Sequence, residues 1–305
     1  MTSQPGAAAP ADRLVVAPAA PAEWAAAVAW AAAEGWNPGL RDSEAFLPQD
    51  PGGFFLGRLD GAAVSAISVV NYGDEFAFLG FYLVDPKHRG HGLGLATWHA
   101  AIGHAARGGA ARPIGLDGVI AQQANYERSG FATAYRTLKY GGVIRPCPRP
   151  GAADSATRAG SGLAVFPARE VEFDDLAGYD RQCYPADRRS FVGRWITAPD
   201  HTALAAVRDE TIVGYGVIRP GHDAYRIGPL FADTPQAAAA LYEALTADLA
   251  GSPVQLDVPE PNRAACAFAE ERSLAVVLET ARMYTAPVSI AAPHKVFGVT
   301  TLELG

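Results

Sequence analysis

Three glycines and an arginine occupy one short segment, Arg89-Gly-His-Gly-Leu-Gly94, which directly follows an apolar run at Phe76–Val84. The run has the continuous hydrophobicity of a strand covered on both faces. After the glycines, Leu95, Trp98 and Ile102 recur at helical spacing. Glycines between a strand and a helix leave backbone N–H groups free to point at an anion, and the helix dipole and the arginine add favourable charge. The segment therefore predicts a phosphate or pyrophosphate site.

Two other phosphate-binding motifs are excluded at this turn, and one alternative stays open. No Gly-Lys-Ser/Thr sequence follows the glycines, so the segment is not a Walker loop. The strand before it lies in the middle of a domain, and the third glycine comes too early for a dinucleotide-binding fingerprint. Tight turns also use glycine for purely steric reasons, which is the alternative to an anion site.

The pattern Arg-x-x-Gly-x-Gly after a strand that ends in Val84-Asp85-Pro86 resembles the pyrophosphate loop of the GNAT acyl-CoA N-acyltransferase superfamily. A second segment, Asn125-Tyr-Glu-Arg-Ser-Gly-Phe131, is similar to the Tyr-Glu-Lys-x-Gly-Phe segment of that superfamily. Two segments in the right order are more specific than either alone. The resemblance implies an N-acetyltransferase that uses acetyl-CoA as its co-substrate. The segments Gly35–Gly39 and Thr300–Gly305 add a likeness to tandem-domain acetyltransferases.

The resemblance also implies which residues bind acetyl-CoA: Tyr82, Leu83, Val84, Arg89, Gly90, His91, Gly92, Leu93, Gly94, Leu95, Asn125 and Tyr126. It implies that the Val84 N–H stabilises the oxyanion and that Tyr126, near the CoA sulfur, is the general acid. The alternatives are ordinary sheet pairing for Val84 and, for Tyr126, a packed side chain with its hydroxyl bonded elsewhere. Asn125 departs from the family pattern, in which an asparagine lies further upstream.

The base that deprotonates the amine is less well defined. Glu75, at the entry to the central strand, and Asp117, at the end of a strand over Pro113–Leu116, are the candidates for facing the cleft. Solvated or turn-capping carboxylates are the alternative, since Asp and Glu favour such positions. A chain of water molecules is another. No His, Cys or carboxylate cluster has metal-ligand spacing, so no metal is expected.

The elements that position these residues follow the order β-α-α-β-β-β-α-β-α-β over residues 13–143, and Asp60-Gly61 is typical of a hairpin turn. A Pro/Gly-rich linker at 144–162 follows, after which the pattern restarts over 163–305. We therefore expect an α/β (α+β) protein of two tandem GNAT-like domains, preceded by a disordered N-terminus at 1–12. Each domain has a mixed, mostly antiparallel central sheet flanked by helices.

The two copies differ where the cofactor would bind. The second half has Ala232-Asp-Thr-Pro-Gln-Ala237 at the position of the glycine turn. Asp233 would repel a pyrophosphate, and Pro235 has no N–H to donate. The segment at 269–274 lacks the tyrosine of the first copy. The second domain is therefore expected to have lost its CoA site.

Composition restricts the environment and the partners. Of the 305 residues, 49% are hydrophobic and 19% are charged, which is typical of a soluble globular protein. The three cysteines are widely spaced, which favours the reducing cytoplasm over a disulfide framework. A net charge of −7 argues against nucleic acid or an anionic membrane as a partner. We expect a cytoplasmic monomer or homodimer.

The acceptor is expected to be the primary amine of a small molecule. A non-catalytic acyl-CoA-binding or regulatory module and a protein lysine acetyltransferase are the alternatives. We expect the acceptor to bind between the domains, near Tyr225, with Arg226 or Arg282 meeting an anionic group; an ion pair between Arg226 and Glu279 is the alternative. On this hypothesis, the fragment Met1–Gly142 binds acetyl-CoA but does not acetylate the acceptor.

Overall fold

The computed structural model describes residues 10–109, 111–146 and 162–305. Residues 1–9 and most of the predicted linker lie outside these ranges. The described part of the N-terminal segment begins with a 3-10 helix, Pro10–Arg13. The first half then contains β1 (Val15–Pro18), α1 (Ala25–Ala33), α2 (Asp42–Phe46), β2 (Phe54–Leu59), β3 (Ala62–Tyr72), β4 (Phe76–Val84), α3 (Leu93–Ala101), β5 (Ile114–Val119), α4 (Gln123–Arg128) and β6 (Ala132–Val143).

The second half repeats this order and adds one short strand after it. It contains β7 (Leu163–Pro167), α5 (Phe173–Cys183), α6 (Arg189–Trp195), β8 (Thr202–Arg208), β9 (Thr211–Arg219), β10 (Tyr225–Ala232), α7 (Pro235–Thr246), β11 (Pro253–Pro259), α8 (Arg263–Glu271), β12 (Ala275–Tyr284) and β13 (Val296–Gly298). The sequence pattern predicted neither α6, which corresponds to α2, nor the added strand β13. The expected fold class, a mixed and mostly antiparallel sheet flanked by helices, is confirmed.

All the described strands belong to one sheet, in which the halves exchange their last long strands. The order through the centre is β4-β5-β12-β6-β11-β10. Thus β12 of the second half pairs antiparallel with β5, where Arg282 lies opposite Asp117. In return, β6 of the first half pairs antiparallel with β11, where Thr137 lies opposite Pro259. Each half therefore depends on a strand from the other.

This exchange changes the expectation for the fragment Met1–Gly142. Without the second half, β6 loses both of its neighbours and β5 loses the strand along its outer edge. The fragment keeps the glycine turn and the strands β1 to β5, but β5 and β6 lose the strand that lies between them. The strand exchange therefore argues against the hypothesis that it binds acetyl-CoA by itself, which stays a prediction to be tested.

Helices cover both faces of the sheet, but only one face has a described core that is shared by the two halves. On one face, α1, α2, α5 and α6 pack on a single apolar core that spans both halves, with Trp24, Phe46 and Trp195 fully buried. On the other face, α3 and α4 cover the first half, whereas α7 and α8 cover the second. The shared core continues the dependence of one half on the other.

Buried ion pairs also join the halves. The Arg219 guanidinium in β9 donates to both carboxylate oxygens of Asp42 in α2, at 2.7 and 3.1 Å. Both side chains are almost fully buried. Removing one partner of such a pair leaves a buried charge uncompensated, at a cost of about 3–5 kcal/mol. The pair therefore fixes how the two halves are arranged.

Candidate active site

The candidate site lies where two parallel strands separate. The parallel strands β4 and β5 pair only from Ala77 to Leu79, after which they diverge. At the same place β4 bulges against β3, since Gly80 lies opposite Ser68 but Leu83 lies opposite Ala66. Bulges of this kind bend a strand and re-aim its groups. The result is a wedge-shaped gap bounded by Gly80–Val84 on one side.

Backbone alternation directs the Val84 N–H into this gap. The N–H groups of successive strand residues point to opposite edges of the strand. The Asp85 N–H donates to the Val64 carbonyl oxygen of β3 at 2.9 Å. The Val84 N–H therefore points to the other edge, from which β5 has diverged. This is the position expected of an oxyanion donor.

The glycine turn has the backbone conformation and the close packing that glycine allows. Gly90 and Gly92 have φ of +80° and +75°, and Gly92 caps α3 in the left-handed region. A Cβ atom on Gly94 would lie 3.1 Å from both the Tyr82 hydroxyl and Val84 Cγ2. A side chain at this position would thus occupy the floor of the turn, which fits the close approach of a phosphate group.

A groove of about 470 Å³ brings together most of the residues predicted to bind acetyl-CoA. It is lined by Tyr82, Leu83, Val84, Arg89, Gly90, Gly92, Leu93 and Gly94, together with Glu34, Trp36, His88, Val119, Ala121 and Gln122. Leu95, Asn125 and Tyr126 line an adjoining groove of about 430 Å³. His91 is exposed and lines neither groove. His88 contacts Asp85, its Nδ1 lying 3.5 Å from Oδ2.

Arg89 is about half exposed, and its Nε donates to the Val84 carbonyl oxygen at 3.0 Å. Its guanidinium also pairs with Glu34 of the α1 C-terminus. The arginine thus lies at the groove, with a carboxylate as its partner.

Tyr126 is buried and lines the groove of about 430 Å³ but not the larger one. Its ring centroid lies 5.8 Å from that of Trp98 and 6.4 Å from that of Tyr82. Burial, with a smaller contribution from Tyr82, raises the pKa of the Tyr126 hydroxyl well above its ordinary value. A tyrosine hydroxyl, whose ordinary pKa is about 10, keeps its proton at neutral pH, and this shift acts in the same direction. A proton donor needs that state.

A smaller cavity of about 70 Å³ continues from the groove through the strand gap. It shares Trp36, Tyr82, Val119 and Gln122 with the groove, and Tyr126 lines it as well. Its polar lining comes from Asp117, Lys139, Thr280 and Glu303. An acceptor that enters this cavity would meet both an acidic and a basic side chain next to Tyr126.

Asp117 lies in this cavity, but within a strand and in an ion pair. One carboxylate oxygen, Oδ2, accepts from Arg282 Nη2 at 2.6 Å, and the other, Oδ1, accepts from Thr137 at 3.1 Å and Thr280 at 3.3 Å. Burial raises the pKa of Asp117, although Arg282 opposes that shift. The solvated or turn-capping alternative was wrong, because β5 extends to Val119 and buries the carboxylate.

The other candidate base, Glu75, lies far from the gap. It precedes β4 at the end where β4 and β5 are still paired, and it accepts hydrogen bonds from Arg181 Nη2 at 3.1 Å and the Asp187 N–H at 3.2 Å. It is exposed and lines none of these cavities. Its position argues against a role as the base.

The residues proposed for acceptor recognition have separate environments. Arg226 is fully buried and pairs with Asp257 and Glu303, whereas Glu279 pairs with Arg136 at the surface. The alternative ion pair between Arg226 and Glu279 was therefore wrong. Tyr225 is half-buried against the core of the second half. Arg282 lines a separate cavity of about 320 Å³.

The corresponding gap in the second half is filled by the chain itself. Strands β10 and β11 pair in parallel only from Tyr225 to Ile227. Beyond that point β13 pairs with β10, with Phe231 opposite Val296, and the Val299 N–H donates to the Asp257 carbonyl oxygen at 2.9 Å. The space that β5 leaves open in the first half is thus occupied by β13.

The turn before α7 is also closed to an anion. The Thr234 side chain caps α7 by accepting from the Ala237 N–H at 3.2 Å. Asp233 is paired with Lys295, whose Nζ lies 2.8 Å from its carboxylate. The second half therefore lacks both the free donors and the open gap of the first.

We expect one acetyl-CoA to bind per chain, because only the first half has an open gap and a glycine turn. Isothermal titration calorimetry of the full chain with acetyl-CoA should give a stoichiometry of one. Two equivalent sites would contradict this assignment and would mean that β13 is displaced from the second gap.

Four polar or charged residues that line the gap were not predicted from the sequence as functional: Gln122, Lys139, Thr280 and Glu303. Glu303 falls in one of the two segments that mark the likeness to tandem acetyltransferases, and Trp36 falls in the other. Lys139 reaches the gap because β6 takes part in the strand exchange, and Gln122 does so because it follows the end of β5. Neither residue lies in a segment that the sequence marks as part of a site.

Comparisons with known proteins define the class of the chain. Residues 22–131 match the family model "Acetyltransferase (GNAT) family", and residues 176–298 match the model "Acetyltransferase (GNAT) domain". The chain belongs to the GNAT acetyltransferase family, with two GNAT domains in tandem. Within the described residues, no helix is long and apolar enough to cross a membrane.

Two curated relatives support this assignment, one of them over nearly the full length of the chain. The chain is 30% identical to holothin acyltransferase of Pseudoalteromonas sp. (strain SANK 73390), over 94% of this chain and 93% of that protein. It is 27% identical to an uncharacterized N-acetyltransferase of Bacillus subtilis (strain 168), over 74% of this chain and 75% of that protein.

Solved structures show the same fold. A putative acetyltransferase from Pyrococcus horikoshii matches with a TM-score of 0.76 and 20% identity, covering 96% of both chains. A tandem GNAT protein from the clavulanic acid biosynthesis pathway matches with a TM-score of 0.60 and 14% identity, over 90% of this chain and 100% of that one.

Proposed function

We propose that this protein is an acetyl-CoA-dependent N-acetyltransferase that acts on the primary amine of a small molecule. The observation that carries the proposal is the open gap between β4 and β5, which joins the glycine turn to Tyr126. Gly94 supports the fit of the cofactor, since a Cβ there would fill the floor of the turn. A module that only bound acyl-CoA would need the turn but not a protonated tyrosine beside the gap.

Acetyl-CoA supplies the thioester whose carbonyl carbon the neutral amine attacks. The Val84 N–H donates to the carbonyl oxygen as negative charge develops there. As the carbon–sulfur bond breaks, the Tyr126 hydroxyl gives its proton to the sulfur. The amine loses one proton to solvent, and the tyrosine regains one from solvent. The sum is one amide and one free thiol.

Two observations favour a small acceptor over a protein lysine. The cavity on the far side of the gap is narrow, at about 70 Å³, and residues of both halves enclose it. The relative with 30% identity is named for the acylation of holothin. We place the acceptor's amine in this cavity on the same basis.

Thiol release tests the proposal. Purified protein with acetyl-CoA should release free CoA when members of a panel of small primary amines are added, and mass spectrometry should find the matching amides. If neither the amines nor lysine peptides increase the release of thiol, that result would favour the non-catalytic binding module. Activity confined to lysine peptides would favour a protein acetyltransferase.

We expect Gly92→Glu to weaken acetyl-CoA binding by about tenfold or more, equivalent to at least about 1.4 kcal/mol. The carboxylate would repel the pyrophosphate at the turn, and the positive φ is unfavourable for a residue with a Cβ. Calorimetry would measure the affinity.

Gly73→Glu is the matched control for this variant. It introduces the same side chain at a positive φ of +56°, in a turn that lines neither groove. Wild-type affinity in a folded Gly92→Glu protein would show that the turn does not bind the cofactor.

A further inference from the structure

The last residues of the chain pass from the filled gap of the second half to the open gap of the first. After β13, the backbone passes close to Gly228 of β10. A Cβ atom on Gly228 would lie only 2.2 Å from the Thr300 carbonyl oxygen, which is too close for any side chain. In the same way, a Cβ atom on Gly80 of β4 would lie 1.9 Å from the Glu303 carbonyl oxygen. Glycine in both strands therefore permits the tail to lie directly on the sheet.

Hydrogen bonds hold this tail in place. The Leu304 carbonyl oxygen accepts from the Tyr72 hydroxyl at 2.8 Å and from the Tyr184 hydroxyl at 3.2 Å. The Leu304 N–H donates to Thr301 Oγ1 at 2.9 Å. A side chain carried by this tail thus has a defined position.

Glu303 has one satisfied carboxylate oxygen and one that is not. Its side chain is 4% exposed, and Oε1 accepts from Arg226 Nη1 at 3.1 Å. Oε2 is buried and has no hydrogen-bond partner among the described residues. The side chain lines the same 70 Å³ cavity as Tyr126. An unpaired buried carboxylate oxygen is costly, and a donor on a bound molecule would relieve that cost.

The other charged groups around this oxygen are already engaged. Lys139 Nζ donates to the Trp36 carbonyl oxygen at 2.9 Å, and burial lowers its pKa. Asp117 is paired with Arg282, and Arg226 is shared between Asp257 and Glu303. Among the carboxylates that line this cavity, Glu303 is therefore the one that can accept a hydrogen bond from an incoming group.

We infer that Glu303 is an acceptor-binding residue whose Oε2 accepts a hydrogen bond from the primary amine of the acceptor at the gap between β4 and β5. The inference rests on the proposed function and specifies how the acceptor is held. It also gives the second half a part in the first half's site, because the tail reaches that site only through β13.

Binding can be tested without acyl transfer, with n-butylammonium chloride as the probe. Thermal unfolding of the wild type should shift to higher temperature with the probe, but not with equal concentrations of sodium chloride or n-butanol. Glu303→Gln keeps an oxygen toward Arg226 but removes the charge, and should lose the shift. Glu279→Gln, which removes a carboxylate from a surface ion pair, is the matched control and should keep it. No shift in the wild type, or an equal shift in Glu303→Gln, would overturn the inference.

Turnover separates this inference from the proposed function. With n-butylamine as the acceptor, Glu303→Gln should raise the KM for the amine at least tenfold and leave the KM for acetyl-CoA unchanged. Glu303→Asp keeps the negative charge but moves it away from the cavity, because the side chain is one methylene shorter, and it should also raise the KM for the amine. Circular dichroism would establish that both variants are folded. An unchanged KM for the amine would refute the role of Glu303. Probe binding that depends on Glu303, in a protein that acetylates no amine, would refute the proposed function alone.

Discussion

The first half expressed alone, as residues 1–146, is expected to bind no acetyl-CoA and to be largely unfolded. It contains the glycine turn and Tyr126, yet β5 and β6 lack β12 between them, and β6 also lacks β11. The apolar face that packs against α5 and α6 would be exposed to water. Circular dichroism and calorimetry with acetyl-CoA would measure both losses.

The matched control supplies the missing half as a separate chain. Co-expression of residues 1–146 with residues 162–305 restores every described strand and both exchanged pairings. This pair should co-purify and bind acetyl-CoA. If residues 1–146 alone bound acetyl-CoA with the affinity of the full chain, the exchanged strand would be dispensable for the site.

Replacing Tyr126 by phenylalanine should lower kcat by about a hundredfold to ten-thousandfold, the usual contribution of a positioned general acid. The ring remains to pack against Trp98, so the affinity for acetyl-CoA should change little. Only the proton donor to the leaving sulfur is lost, and it acts in the transition state. Single-turnover measurements would show whether the chemical step is the one that slows.

Tyr140→Phe provides the comparison. Tyr140 is equally buried, but its hydroxyl contacts Glu270 at 3.2 Å, and it lines neither the groove nor the gap. Its loss should leave kcat near the wild-type value. Unchanged turnover in Tyr126→Phe, with chemistry rate-limiting, would assign the acid role to another group or to water.

The sequence identified the elements that carry the site with good precision. Continuous hydrophobicity predicted β4 over Phe76–Val84, which are its observed bounds, and the helical spacing after the glycines predicted α3, observed at Leu93–Ala101. Periodicity was sufficient because these segments are long and each has one dominant pattern. Most of the lining of the 470 Å³ groove follows directly from them.

The neighbours of each strand were not predictable in the same way. The alternation of apolar and polar residues shows which face of a strand is buried but not which strand lies beside it. The sequences of β6 and β12 therefore did not indicate that each strand pairs with strands of the other half. Asp117 and Arg282 are partners 165 residues apart. Strand β13 is three residues long and has too few positions for a pattern. The sequence analysis therefore placed Asp117 at a strand end without its partner Arg282, and it named no role for Lys139 or Glu303.

The strand exchange has a consequence for how the chain is made. The first half emerges from the ribosome before β12 and the tail have been synthesised. It therefore cannot complete its fold during synthesis, as an independent N-terminal domain could. Contacts such as the one between the Ile114 N–H and Thr285 Oγ1, 171 residues apart, must wait for the end of translation. Pairings over such separations form slowly. Until then, the open edges of β5 and β6 are exposed to other chains. Slow expression at low temperature should therefore raise the soluble yield, and a prematurely terminated product should be inactive.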